Sequence, residues 1–195
     1  MSLHYYHPNS RVTGFAASFW YSDRDDSVFA TLIKQAGWDA NTQNGTFKDS
    51  LNDPNKKVNI KLSFTEVAAI LDCVERNRPF TTFHDSDEKP KSISFTPWMS
   101  KDATPVCKGY SFSVTVTDKQ DSSFKNAFYI GFSFAEAREI REFLIFIMHD
   151  HFYALRQRQQ QMQSQSQSQP QAAKNQPQPA NNQPTGPVKD SLTGF

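Results

Sequence analysis

The chain has 195 residues, 37 % of them hydrophobic and 21 % charged, with 21 basic against 20 acidic side chains and a net charge of +1. Composition breaks near Leu155: from Arg156 onward no aromatic residue occurs before Phe195, and Gln, Pro, Ser and Asn dominate. Such a segment cannot bury enough apolar surface to offset its ordering entropy, so residues 156–195 are expected to be a disordered tail. Residues 1–155 then carry 17 basic and 19 acidic groups, which excludes a strongly basic nucleic-acid binder but not a locally basic groove.

In chain order, "GFAASFWYS" (Gly14 to Ser22), the turn "DRDD" and "SVFATLIK" (Ser27 to Lys34) read as a hairpin. Asn44-Gly45 is a strong turn dipeptide, and after a charged loop "KVNIKLS" (Lys57 to Ser63) is a further strand. The second half runs in parallel: "PFTTFHD" from Pro79, "SISFT" from Ser92, "GYSFSVTVT" from Gly109 and "AFYIGFS" from Ala127. In Gly109 to Thr117 the alternation is complete, with Tyr110, Phe112, Val114 and Val116 on one face and four hydroxyl residues on the other.

Each half then enters a helix through the same device. Ser63-x-x-Glu66 and Ser133-x-x-Glu136 are capping boxes, seventy residues apart. Val67, Ile70, Leu71 and Val74 follow at helical spacing, matched at that offset by Ala137, Ile140 and Leu144. Pro79 ends the first helix, whereas the second has no breaker before about Gln160. The fold class is therefore α+β: two tandem ββββα repeats, about 12–78 and 79–155, forming curved antiparallel sheets with packed helices.

Catalytic chemistry finds no carrier. His149 and His151 lie on different helix faces, since a metal pair on a helix wants i, i+4 spacing. His84-Asp85-x-Asp87 reads as a polar turn before a cation site, and no nucleophile elbow, phosphate-cradling glycine loop or zinc spacing occurs. Cys73 and Cys107 match no metal spacing, and Cys73 on its helix reads as a buried thiol. The expectation is a protein without catalysis or cofactor. The start "MSLHYYHPNS" is polar and the run "FLIFIM" too short to span a bilayer, so a soluble intracellular protein of a reducing compartment is expected, in cytoplasm, nucleoid, nucleus or organelle.

The aromatic residues carry the functional signal. Seventeen of the 26 are Phe, and Phe19-Trp20-Tyr21 puts large rings on both faces of one strand. Trp38 and Trp98 fall just past strands; Lys34 precedes the first, and Lys91 and Lys101 bracket the second, with Lys89, Lys108 and Tyr110 near in sequence. Exposed rings beside ammonium groups suit single-stranded nucleic acid, with bases stacked and phosphates paired. Trp20, Trp38, Trp98 and Tyr110 are thus candidate stacking residues, and Lys34, Lys91, Lys101 and Lys108 candidate phosphate contacts. The bland reading of the same residues is a scatter of solvated Lys with partly buried rings.

"KVNIKLSFTEVAAILDCVE" and "AFYIGFSFAEAREIREFL", each a last strand leading into a capped helix, give the chain a resemblance to the positive-cofactor-four, Whirly and Pur type of single-stranded-DNA-binding protein. That resemblance, spanning about residues 12–155, implies two ββββα units forming one binding body. The near-neutral core departs from the basic face usual in that type. The tail resembles those of bacterial and phage single-stranded-DNA-binding proteins: it ends "PVKDSLTGF", so Asp190, Leu192 and Phe195 are candidate contacts to replication or transcription proteins. Together these features suit a phage or viral replication accessory protein. Two rivals stay open: a structural or protein-interaction module that oligomerises through its aromatics and "FLIFIM" helix, and an RNA-binding cofactor of the same fold, because stacking platforms are indifferent to the sugar unless a group reads the 2′-OH.

Overall fold

A computed structural model of the chain describes residues 1–167 apart from 87, 88 and 122. It divides into two compact units, Met1–Leu155 and Arg156–Phe195. In the first unit, β1 (Ser2–His7), β2 (Phe15–Ser22), β3 (Ser27–Lys34), β6 (Lys57–Leu62) and α1 (Phe64–Arg76) make the first repeat. A small hairpin, β4 (Gly37–Asp39) and β5 (Asn44–Thr46), is inserted before β6. The second repeat is β7 (Phe80–His84), β8 (Lys91–Met99), β9 (Cys107–Thr117), β10 (Lys125–Phe132) and α2 (Phe134–Gln167). Each repeat forms one antiparallel meander, in the orders β1-β2-β3-β6 and β10-β9-β8-β7.

The first sheet begins ten residues ahead of the expected boundary at residue 12. In "SLHYYH" Leu3, Tyr5 and His7 turn inward while Ser2, His4 and Tyr6 face out, an alternation that polar-looking His and Tyr conceal in the sequence. Residues 156–167, assigned to the tail by composition, continue α2 as helix; the remainder of the tail lies outside the described residues.

The two sheets share one core. Phe19 of the first sheet meets Phe112 and Phe132 of the second, with ring centroids 5.7 and 6.2 Å apart, and Tyr5 meets Phe132 at 5.2 Å. Phe19, Phe95, Phe112 and Phe132 are all fully buried or nearly so. Burying four Phe side chains contributes on the order of 1.5–3 kcal/mol each, and neither sheet alone could cover them.

Both capping boxes form as the sequence predicts. The Ser63 hydroxyl accepts from the Glu66 amide and the Glu66 carboxylate accepts from the Ser63 amide, with the same exchange at Ser133 and Glu136. Each capping glutamate also crosses to the other repeat. His7, at the end of β1, lies 2.7 Å from Glu136 of α2, and His84, at the end of β7, lies 2.7 Å from Glu66 of α1. The repeats are thus clasped twice, each by its histidine on its neighbour's helix start. Burial works against the charge on Glu66, but the Ser63 amide, the His84 ring and the Ser63 hydroxyl outweigh it and hold the carboxyl below its ordinary range. Glu136 is depressed in the same way by Ser133 and His7.

Cys73 is buried as expected, its thiol donating to the Phe95 carbonyl at 3.3 Å. Burial pushes its pKa up to about 11, as suits an inert packing residue.

Candidate nucleic-acid interface

Strand parity decides which side chains can reach a ligand. On the first sheet, Val28, Ala30 and Leu32 of β3 and Val58, Ile60 and Leu62 of β6 face the core. The alternate residues form the outer face, and the strand register aligns them in rows. One row is Ser2, Trp20, Phe29 and Lys61; the next is His4, Ser18, Thr31 and Asn59; the third is Tyr6, Ala16, Ile33 and Lys57. Trp20 and Phe29 lie nearly parallel, with centroids 4.4 Å apart and planes 11° apart, and Trp20 keeps 36 % of its surface exposed. Between the ring rows, Thr31 Oγ1 donates to Asn59 Oδ1 at 2.8 Å. Tyr6, exposed on the edge strand, contacts Phe47 at 5.8 Å. Phe47 belongs to the segment inserted between β3 and β6, so that insertion bounds one end of the face.

Alternate positions on a strand stand about 6.6 Å apart, so the Trp20 and Tyr6 rows are separated by about 13 Å. Lys57 and Lys61 sit at the same interval along β6, an edge strand. The face therefore offers two aromatic platforms, a polar interval and two ammonium groups on one margin, the parts a single strand needs for stacked bases and a paired backbone.

The second sheet is built alike inside and differently outside. Its outer rows are Phe83, Ser92, Thr115 and Ala127; Thr81, Ser94, Ser113 and Tyr129; and Thr96, Ser111 and Gly131. The predicted hydroxyl ladder is present, and Ser94 and Ser113 share a hydrogen bond of 2.8 Å. Exposed rings stand on its edge strands, Phe83 on β7 and Tyr129 on β10, and at the end of central β8, where Trp98 has the parity of Ser92 and Ser94.

The eight residues singled out from sequence do not form one site. Trp20 lies on the outer face of the first sheet. Trp38 is on β4, opposite Gly45, in a hairpin fixed by Gln35, whose buried amide bonds the backbones of Asn9, Gly14 and Gly37. Trp98 ends β8 and is 56 % exposed, with Met99, Lys101 and Lys108 beside it; Lys108 lies 4.0 Å from Asp102.

Three assignments are corrected. Tyr110 is 4 % exposed, and its hydroxyl donates to the Val74 carbonyl at 2.8 Å and lies 2.9 Å from Asn77 Oδ1, so it closes the end of α1 and offers no ring to a base. Lys34 has the parity of Leu32: its Nζ donates to Asn126 at 2.6 Å and stands 4.8 Å over the Phe128 ring, joining the sheets from within. Burial, only partly countered by Asp53, draws its pKa down. Lys91 has the parity of Ile93 and pairs with His84 in register, so it does not share the face of Trp98. Sequence reasoning missed Tyr6, Phe29, Lys57 and Lys61, although the period-two pattern of β3 and β6 held the signal for three of them.

Of the turn weighed as a cation site, His84 is bonded to Glu66 and Asp85 to Lys119, and Asp87 lies outside the described residues. Among the described residues no group of three or more His, Cys, Asp or Glu could hold a metal ion. None of the described helices is long and apolar enough to cross a membrane. Asp190, Leu192 and Phe195 lie outside the described residues.

The model of the Whirly transcription factor family matches residues 42–143, just over half of the sequence. The chain belongs to the Whirly family. Three solved structures are similar in fold. WHY1 from Arabidopsis thaliana aligns with a TM-score of 0.55 at 13 % identity, covering 86 % of this chain and 93 % of that one. The plant transcriptional regulator PBF-2 gives 0.52 at 17 %, covering 76 % and 87 %, and MRP1/MRP2 from Trypanosoma brucei gives 0.50 at 18 %, covering 77 % and 85 %. Among curated proteins no relative matches. Whirly proteins are a family of non-enzymatic binders of single-stranded nucleic acid, and the doubled ββββα body expected from the sequence is the Whirly fold.

Proposed function

We propose that this Whirly protein binds single-stranded DNA without catalysis, stacking bases on the outer face of its first sheet and pairing phosphates along the β6 margin, in support of transcription, replication or recombination. The observation that carries this reading is the cross-strand row of Trp20, Phe29 and Lys61, with Tyr6 and Lys57 two rows away. Trp38 on the inserted hairpin and, apart from this face on the second sheet, Trp98, Lys101 and Lys108 are further candidate contacts for a longer strand. Each stacked base is worth roughly 1–3 kcal/mol, so a few rings suffice for micromolar binding by a body of near-zero net charge. The tail residues Asp190, Leu192 and Phe195 are the candidate contacts to other proteins acting on the same DNA.

The experiment is a titration of tryptophan fluorescence with single-stranded and duplex oligonucleotides at low and moderate salt. Quenching by single strands alone, weakening with salt, supports the reading; no response at low salt contradicts it. A parallel titration with the RNA strand of the same sequence separates the DNA and RNA forms.

A second reading is favoured by one feature of α2, where Phe146, Phe152 and Tyr153 are exposed on a helix whose other side packs in the core. A surface of this kind fits a homo-oligomer, which would set several sheets side by side. Sedimentation of the Phe146→Glu, Tyr153→Glu variant tests it: a smaller species supports the oligomer, and an unchanged one removes it.

A further inference from the structure

The edge strand β6 turns three side chains to the outer face, Lys57, Asn59 and Lys61, at successive alternate positions. They stand about 6.6 Å apart along the strand, an interval that the successive phosphates of an extended single strand can follow. The two ammonium groups hold the ends of that run and leave its middle to an uncharged amide. The three rows that end on these residues contain no Asp or Glu, so no carboxylate on the face repels a phosphate there.

Asn59 is exposed, and an exposed amide on an edge strand can turn either its oxygen or its nitrogen outward. Here one neighbour decides. Thr31, its partner in register on β3, is only 7 % exposed and donates through Oγ1 to Asn59 Oδ1 at 2.8 Å. A hydroxyl sheltered from water makes such a bond stronger than a solvated one does. Oxygen and nitrogen leave the amide carbon on opposite sides, so an oxygen engaged toward β3 leaves Nδ2 facing the open margin. That nitrogen makes no hydrogen bond among the described residues, and it can only donate. The outward side of β6 is therefore a line of three donors with no acceptor between them.

The second repeat lacks this line. At the offset of seventy, Lys57, Asn59 and Lys61 become Ala127, Tyr129 and Gly131 on β10, and Ser113, which faces Tyr129 in register, bonds to Ser94 instead. The inward residues Val58, Ile60 and Leu62 keep apolar counterparts in Phe128, Ile130 and Phe132. The fold thus preserves what packs and has no need of a Thr–Asn pair at this place. We propose, resting on the reading of this face as the single-strand site, that Asn59 Nδ2 contacts the middle one of three successive phosphates on the β6 margin, with Thr31 as the positioning residue that turns the amide. The register of the strand follows: one nucleotide per row, the outer two bases on the ring rows and the middle base over Ser18 and Thr31. The Trp20 and Tyr6 rows are about 13 Å apart and neighbouring bases stack at about 3.4 Å, so the bound strand is extended and its bases are not stacked on one another.

The test is a titration of a labelled oligothymidylate with the full chain, read by fluorescence anisotropy across a salt series, with variants at both residues and the Trp20→Ala, Phe29→Ala variant alongside. Asn59→Ala is expected to bind about three- to tenfold more weakly, with the slope of log affinity against log salt unchanged, because a neutral donor displaces no counterion. Asn59→Lys should recover the affinity and steepen the slope by about 0.7. Thr31→Val should weaken binding as far as Asn59→Ala does, and Thr31→Ser should bind as wild type. In the Asn59→Ala background Thr31→Val should bring no further loss, as expected of a residue that acts through another. An undiminished loss in that background would overturn the positioning role and make Thr31 a general support of the sheet. Wild-type affinity in Asn59→Ala would overturn the phosphate contact. If the ring variant is weakened at the same time, the face remains the single-strand site without Asn59; if the ring variant is also unaffected, both readings fall together.

Discussion

The two sheets of this protein are near-copies on one face and strangers on the other. Inside, both present Phe, Val and Ile at alternate positions to one core, and each repeat reaches over to hold the other's helix cap through a histidine. Outside, the central strands of the first sheet carry the stacked pair Trp20 and Phe29, while those of the second carry Ser92, Ser94, Ser113 and Thr115, with a lone ring, Trp98, where β8 ends. A duplicated unit must conserve whatever its copy packs against, because packed interiors tolerate little change in volume. Its solvent faces are under no such constraint. The difference teaches that symmetry here belongs to stability, and asymmetry to recognition.

Breaking the shared interior should have the largest effect, and the same effect from either side. Phe19→Ala and Phe112→Ala are each expected to cost about 3–5 kcal/mol, with both sheets lost in a single denaturant transition monitored by circular dichroism. A mutation confined to one repeat that left the other folded would separate the halves. The helix caps come next: Ser63→Ala and Ser133→Ala should each cost about 1 kcal/mol in the same assay, matching one another as the capping boxes do.

The outer faces should respond unequally. Lys57→Gln and Lys61→Gln are each expected to reduce the slope of log affinity against log salt by about 0.7 for a single strand, read from titrations across a salt series. Ser94→Ala with Ser113→Ala on the second sheet should leave that slope unchanged.

The smallest effect is the response to acid. Glu66 and Glu136 are held below the usual carboxylate pKa of 4.5 in the folded chain. A depressed carboxylate contributes stability that is present above its unfolded pKa and lost as pH falls through the folded value. The melting temperature should therefore be flat from neutral pH to about 5 and decline below about 4.5, less steeply in Glu66→Gln, Glu136→Gln.

Much of this was legible in the chain. The seventy-residue offset of Ser63-x-x-Glu66 and Ser133-x-x-Glu136 announces the duplication, since a capping box is a local device whose geometry depends on four consecutive residues. The alternation of Gly109 to Thr117 gives its strand and both faces. Less legible was β1, whose inward Tyr5 and His7 find their partners, Glu139 and Glu136, well over a hundred residues away. The site assignment failed where proximity in sequence stood in for parity. Lys34 shares the face of Leu32, Lys91 that of Ile93 and Tyr110 that of Phe112, so all three point inward however many rings adjoin them. Trp20 survives the parity test; Phe29 and Lys61 become its neighbours only through pairing across three strands, which no local pattern specifies.

The central claim is that the outer face of the first sheet is where single-stranded DNA binds. Fluorescence anisotropy of a labelled single-stranded oligonucleotide, titrated with wild type and with the Trp20→Ala, Phe29→Ala variant, tests it most directly. The account predicts a loss of at least about tenfold in affinity in a variant whose far-ultraviolet circular dichroism matches wild type, with the Ser94→Ala, Ser113→Ala variant binding as wild type does. Equal affinity for wild type and the ring-less variant would contradict it.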